Sequence, residues 1–168
     1  MGIHDETADP LQPHSHEPNP APPTDDPMFE LVLPNGRSQT ITVQDLRQLP
    51  SVSVADCYIV STGHGTSGPF TFTGATLLAF ISHYYDEPWS QVEVVSTDGF
   101  GNRVLAKELH QPDPARPILL AYEMNGQSLT REQGLVRMIV PSERDDALRQ
   151  VKWVGKVKVI GDGGRKRP

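Results

Sequence analysis

The chain of 168 residues contains a single cysteine, Cys57, and only 7% aromatic residues. One thiol excludes an internal disulfide and any thiolate-rich zinc or iron–sulfur centre. No apolar run approaches the roughly 18 residues that a membrane-spanning helix needs, so no membrane span is expected. The start, MGIHDETADP, lacks the basic residues, the apolar stretch and the paired arginines of an export signal. Glu6 stands where a myristoylation signal carries Ser or Thr. A cytoplasmic location is the expectation that follows.

Basic residues are missing altogether from residues 1–27, which hold six of the 21 acids and seven of the 16 prolines. The remaining 15 acids balance the 15 bases of the rest of the chain, so the net charge of −6 belongs to this tail. A neutral globular part lacks the basic face that nucleic-acid binding demands, and no nucleic-acid partner is expected. Residues 1–27 have too few large apolar groups to offset the entropy of ordering and read as a disordered, acidic, Pro-rich tail. Residues 161–168 end in Arg165, Lys166 and Arg167 and read as a basic flexible tail. Between them, residues 28–160 are long enough for one domain with its own core.

Within that domain the pattern is mostly of strands. Phe29 to Leu33 alternates, Pro34-Asn35-Gly36 is a hairpin turn, and Ser38 to Val43 alternates as the partner. Val43 to Pro50 reads as a short helix closed by proline, and Ala55 to Ser61 as a strand. Ala75 to Tyr85 has helical spacing, with Leu77, Leu78, Phe80, Ile81 and Tyr84 on one face. Further strands are expected at 91–96, 102–105, 118–124, 127–129, 135–140 and 154–160, with helical turns near 107–109 and 143–150. Many short strands with a few short helices imply an α+β fold built on mixed β-sheets.

Chemistry-bearing patterns are few. The loop Thr62 to Pro69 carries Gly63, Gly65 and Gly68, which can free backbone N–H groups to face an anion, and His64 can serve there as acid, base or ligand. It matches neither a Walker loop nor a dinucleotide fingerprint. Cys57 reads either as a small buried apolar residue of a strand or as a metal ligand. Asp98-Gly99 has the chemistry of a tight turn.

The stretch from Leu119 to Val159 resembles the molybdopterin-binding domain of sulfite-oxidase-type enzymes. The resemblance rests on Leu120-Ala-Tyr122, Asn125-Gly126, Gly134 to Arg137, Ile139-Val-Pro141 and Val151-Lys-Trp153. Phe70 to Leu78 and Thr97 to Phe100 match the family's aromatic-x-Gly-x-x-Leu and Asp-Gly-aromatic motifs, so the likeness covers about residues 29–160. It implies a small stand-alone oxidoreductase domain holding molybdopterin with molybdenum, which moves an oxo group or electrons to and from a small-molecule substrate and needs a separate electron-transfer partner. A relative of the same fold that holds no cofactor and acts as a binding or scaffold module is the alternative.

Carried residue by residue, the resemblance places Arg137 and Lys152 at the anionic end of the cofactor, His64 over the pterin and Asp98 on the substrate side. A cysteine thiolate binds the metal in the family, which makes Cys57 the candidate ligand. The family's cysteine closes its strand, and laying Val60 to His64 on that pattern puts Ser61 at the ligand position. Cys57 lies four residues earlier, roughly 13 Å along an extended strand. It reaches the position only where the strand ends sooner and the loop is longer than the alternation suggests.

Overall fold

The computed structural model describes residues 26–61, 65–110, 116–141 and 150–161. His64, residues 1–25 of the acidic tail, residues 162–168 of the basic tail and residues 143–149 of the expected second-half helix lie outside the described residues.

Thirteen elements occur among the described residues: β1 (Phe29–Val32), β2 (Ser38–Ile41), α1 (Val43–Arg47), β3 (Val52–Ser61), β4 (Gly65–Thr76), α2 (Leu77–Tyr84), β5 (Trp89–Ser96), β6 (Gly101–Leu105), α3 (Ala106–His110), β7 (Leu119–Met124), β8 (Gln127–Ser128), β9 (Arg137–Ile139) and β10 (Val154–Gly161). They form two five-stranded sheets. The first runs β2-β1-β10-β5-β6, and its β1–β10 pair is parallel while its other pairs are antiparallel. The second runs β3-β4-β7-β8, with β9 also paired to β7. Mixed sheets with three short helices are the α+β architecture the sequence implies.

Local chemistry sets the element ends. Thr42 caps α1 in a reciprocal box with Asp45, and Thr76 Oγ1 accepts from Ala79 N at the start of α2. Asn125 and Gly126 both take positive φ, which is the twist a two-residue hairpin between β7 and β8 requires.

The main core lies between the sheets. Leu31, Val92, Val94, Val104, Val157 and Val159 of the first sheet join Ala75, Leu120, Tyr122 and Met138 of the second, sealed by Leu46, Leu77, Phe80 and Ile81 of the helices. Complete burial of a side chain such as Phe80 contributes roughly 1.5–3 kcal/mol. Strand alternation turns Leu119, Ala121 and Ile139 to the opposite face of the second sheet. There they meet Val54, Cys57, Phe72 and Leu129 in a smaller cluster.

Two side chains draw the outer strands of this second sheet together. Arg116 donates to the carbonyls of Ala55 and Asp56 on β3 and to that of Pro141 just beyond β9, each at 3.0 Å. Gln150 Nε2 donates to Tyr58 O at 2.8 Å, and Gln150 Oε1 accepts from Arg137 on β9 at 3.2 Å. Side-chain donors therefore satisfy carbonyls that a neighbouring strand would otherwise take.

The glycine loop expected over residues 62–69 is shorter. β4 begins at Gly65, and Ile59, Val60 and Ser61 pair with Ser67, Thr66 and Gly65. Ladder pairing of residues 65–67 with β3 commits part of the backbone that an anion nest would need free. Gly68 has a different role: at φ +132° a Cβ would stand 2.7 Å from the Cys57 carbonyl oxygen. The expected strand over 135–140 shrinks to β9, because Leu135 takes φ +60° in the turn before it.

Candidate cofactor-binding site

The site is built around Arg137. As the first residue of β9, it shares a face with Ile139 and is almost wholly buried, at 3% exposure. Its Nη1 donates to Gln133 O at 2.9 Å and its Nη2 to Gln150 Oε1 at 3.2 Å. Nε is buried and has no hydrogen-bond partner among the described residues. Desolvation pushes the guanidinium pKa down to about 10, so it remains a cation at neutral pH. Arg137 makes no ion pair with the described residues, whereas Arg47 and Glu123 form one at 2.9 Å on the surface.

A second cation stands beside it. Burial lowers the pKa of Lys152, the charge of Arg137 lowers it further, and the Asp98 carboxylate acts in the opposite sense. Lys152 Nζ lies 4.5 Å from the centre of the Trp153 ring, whose Nε1 is anchored on Arg131 O at 2.7 Å. Gly134, at φ +111°, fits between the two cationic stems. A Cβ there would come within 3.0 Å of Arg137 Cγ and 3.3 Å of Lys152 Cβ. An orphaned buried N–H, two neighbouring cations and a glycine cradle fit the anionic end of a phosphate-bearing cofactor.

Asp98 is exposed in the β5–β6 turn, where its Oδ1 accepts from Phe100 N at 3.2 Å. Its carboxylate thus closes a turn while acting electrostatically on Lys152. The structure brings Arg137, Lys152 and Asp98 into one electrostatic neighbourhood. Ser61 ends β3, and its placement is defined by its backbone pairing with Gly65.

Cys57 faces the smaller apolar cluster at 2% exposure, with Sγ donating to Val54 O at 3.4 Å and to Ala55 O at 3.7 Å. Burial pushes its thiol pKa up, and the Arg116 guanidinium works against that effect. The regular ladder between β3 and β4 breaks on both sides of Cys57, and Asp56 takes φ +57°. β3 nevertheless runs on to Ser61, paired with Gly65, and the loop beyond it is shorter than expected, so the strand does not end sooner; bulges of the kind found at Cys57 re-aim side chains instead. The donor chemistry fits a molybdenum ligand once the proton leaves. Among the described residues no three His, Cys, Asp or Glu side chains gather into a metal-holding cluster.

Three contributors escaped the sequence reading. Gln133 is a neutral amide between two expected strands, Gln150 is one at the end of an expected helix, and Arg116 sits in a proline-rich connection. Nothing in their spacing marks them.

The family model for the oxidoreductase molybdopterin binding domain matches residues 19–164. The chain belongs to this family. Human mitochondrial sulfite oxidase is 52% identical over 48 residues, covering 28% of this chain and 8% of the human protein. The mitochondrial sulfite oxidase of Drosophila melanogaster is 27% identical over 168 aligned residues, covering 83% of this chain and 28% of the fly protein. The crystal structure of the sulfane dehydrogenase SoxCD from Paracoccus pantotrophus superposes with a TM-score of 0.64 at 16% identity, over 91% of this chain and 42% of that one. The chain thus spans under a third of those two curated relatives. Family membership makes this a molybdopterin-binding oxidoreductase domain and favours that reading over a cofactor-free scaffold. No helix among the described residues is long and apolar enough to cross a membrane.

Proposed function

We propose that this domain binds molybdopterin with molybdenum and carries out oxo or electron transfer on a small-molecule substrate, passing electrons to a separate partner. The observation that carries the proposal is Arg137, a buried cation whose Nε has no partner, next to Lys152 and across Gly134. A buried N–H left unpaired costs about 1–3 kcal/mol, and an anionic ligand recovers that loss. Arg137 and Lys152 hold the anionic end of the cofactor, and the Trp153 ring supports the lysine. When bound, the cofactor supplies a metal able to exchange an oxo group and two electrons.

Cys57 is the proposed metal ligand. For that role its thiol loses the proton now directed at Val54 O, and the neighbouring Arg116 favours the resulting thiolate. Ser61 is the other candidate at the cofactor, His64 is assigned to the pterin side, and Asp98 to the substrate side through Lys152. A reducing, cytoplasmic setting suits a free buried thiol and belongs to the same proposal.

The test is elemental analysis of the full chain produced in a host that makes the cofactor. The expected result is near-stoichiometric molybdenum, lost in Cys57→Ala and reduced in Arg137→Met. Molybdenum kept in Cys57→Ala and lost in Ser61→Ala moves the ligand to Ser61. Folded protein without molybdenum overturns the proposal.

A further inference from the structure

Gln150 is the group that holds Arg137, and its chemistry is specific. One planar amide accepts from Arg137 Nη2 at 3.2 Å and donates to Tyr58 O at 2.8 Å. The two partners fix which end of the amide is oxygen, since a guanidinium only donates and a carbonyl only accepts. Among protein side chains, a carboxylate at this position would also reach Arg137, and it would neutralise its charge. An amide orients the guanidinium and leaves the charge intact. The orphaned Nε shows that the guanidinium keeps unused capacity in this arrangement.

We propose that Gln150 is a positioning residue that aims Arg137 at the anionic ligand, ties it to β3 beside Cys57, and adds no counter-charge of its own. The proposal rests on the reading of Arg137 as an anion-holding residue given above. Gln133 O fixes Nη1 and Gln150 fixes Nη2, which leaves the buried Nε as the guanidinium donor without a partner among the described residues. The link to Tyr58 O makes the same amide a spacer between the anion-holding strand and the strand that carries the thiol.

Two substitutions separate charge from geometry. Gln150→Glu keeps the size and the contact to Arg137, adds a counter-charge and gives up the bond to Tyr58 O; Gln150→Met gives up both hydrogen bonds and adds no charge, so the counter-charge is what distinguishes the two. Inorganic phosphate is the probe, titrated into the cofactor-free full chain by calorimetry at constant ionic strength, with thermal unfolding recorded alongside. Pterin content of protein from a cofactor-competent host provides a second readout, taken from the fluorescence of the oxidised pterin.

The expected result is phosphate affinity reduced about tenfold or more in Gln150→Glu, the scale of one lost charge-assisted bond. The same variant unfolds within a few degrees of the wild type, and its pterin content falls. Gln150→Met loses less, about threefold to fivefold, because the buried cation persists but is no longer aimed, and unchanged affinity in that variant overturns the aiming role. Equal affinity in Gln150→Glu and wild type overturns the proposal, as does equal loss in both variants. A wild type that ignores phosphate overturns it as well, and so does a Gln150→Glu chain that fails to fold. Molybdenum-free wild type protein that still binds phosphate with this pattern removes the proposed function while leaving the role of Gln150 standing.

Discussion

Arg137 on β9 and Tyr58 on β3 are joined through one side chain: the Gln150 amide accepts from the arginine and donates to the tyrosine carbonyl. Next to this bridge, Arg116 spans the same two strands from the other end. The second sheet is thereby closed by side chains where backbone pairing ends, and the candidate site occupies that closure.

Arg137→Met is expected to separate binding from stability. The substitution removes a desolvated cation with an unpartnered Nε, and replacing such a group by a residue of similar volume is often neutral or stabilising. Against this, Gln133 O and Gln150 Oε1 lose their donors, at about 1 kcal/mol each. Urea unfolding should therefore move by less than about 2 kcal/mol in either direction. Molybdenum content should fall by about tenfold or more, the scale of a lost charged anion contact. A drop in stability well beyond that range, with molybdenum unchanged, would make Arg137 a structural residue.

How far the sequence reached depends on whether a feature is written in periodicity or in contacts between distant segments. The turns at Asn35-Gly36 and Asn125-Gly126 and the helix from Leu77 were readable, because two residues or one repeat determine them. The break in the ladder at Cys57 was not, since the left-handed Asp56 beside it is met by Arg116, a residue 60 positions away. Pairing of Arg137 with Lys152 was legible only through the family resemblance. The amides that hold Arg137 carry no spacing signal at all.

Glycine at position 74 is expected to be nearly irreplaceable. A Cβ there would sit 2.1 Å from Leu120 O and 2.6 Å from Ala121 Cα, so β4 and β7 would have to separate. Gly74→Ala should cost about 3 kcal/mol or more, the range of severe overpacking. Gly36 is the control. It has φ +89° but no atom within 4 Å of the added group, so Gly36→Ala should cost about 1 kcal/mol through backbone strain alone. Thermal unfolding of the two variants, compared with wild type, checks the contrast. Similar losses at both positions would contradict the close approach of β4 to β7.

Stability should also depend on Cys57 above neutral pH. Burial raises the thiol pKa from its ordinary value of 9.0, with Arg116 opposing, so the unfolded chain releases this proton first. The unfolded state then binds fewer protons than the folded state, and the slope of stability with pH is negative. The contribution is fully present below the unfolded value of 9.0 and is lost as pH rises through the folded pKa. The stability difference between wild type and Cys57→Ala should be flat over roughly pH 6 to 8 and should shrink at more alkaline pH. Subtracting the variant removes every contribution common to the two proteins. A difference that grows with pH would show a thiol ionised in the native state.

Arg116 should prove to be a clamp on β3. Its guanidinium makes three bonds of 3.0 Å, two of them to the consecutive carbonyls of Ala55 and Asp56. With a left-handed φ of +57°, Asp56 sits in a conformation that costs an L residue about 1–2 kcal/mol, so it persists only while something holds it. Arg116→Met keeps the apolar stem and deletes all three donors, and each bond contributes about 0.5–1.5 kcal/mol. Relaxation of Asp56 offsets part of that loss, leaving an expected destabilisation of about 2 kcal/mol. Arg116→Lys should recover little, because an ammonium cannot fork across two carbonyls and still reach Pro141. Hydrogen exchange locates the effect: amides of residues 55–58 should open faster in both variants, while those of β5 and β10 in the other sheet should keep their protection. Unchanged exchange at 55–58 in Arg116→Met would mean that the kink before Cys57 is held by the strand itself.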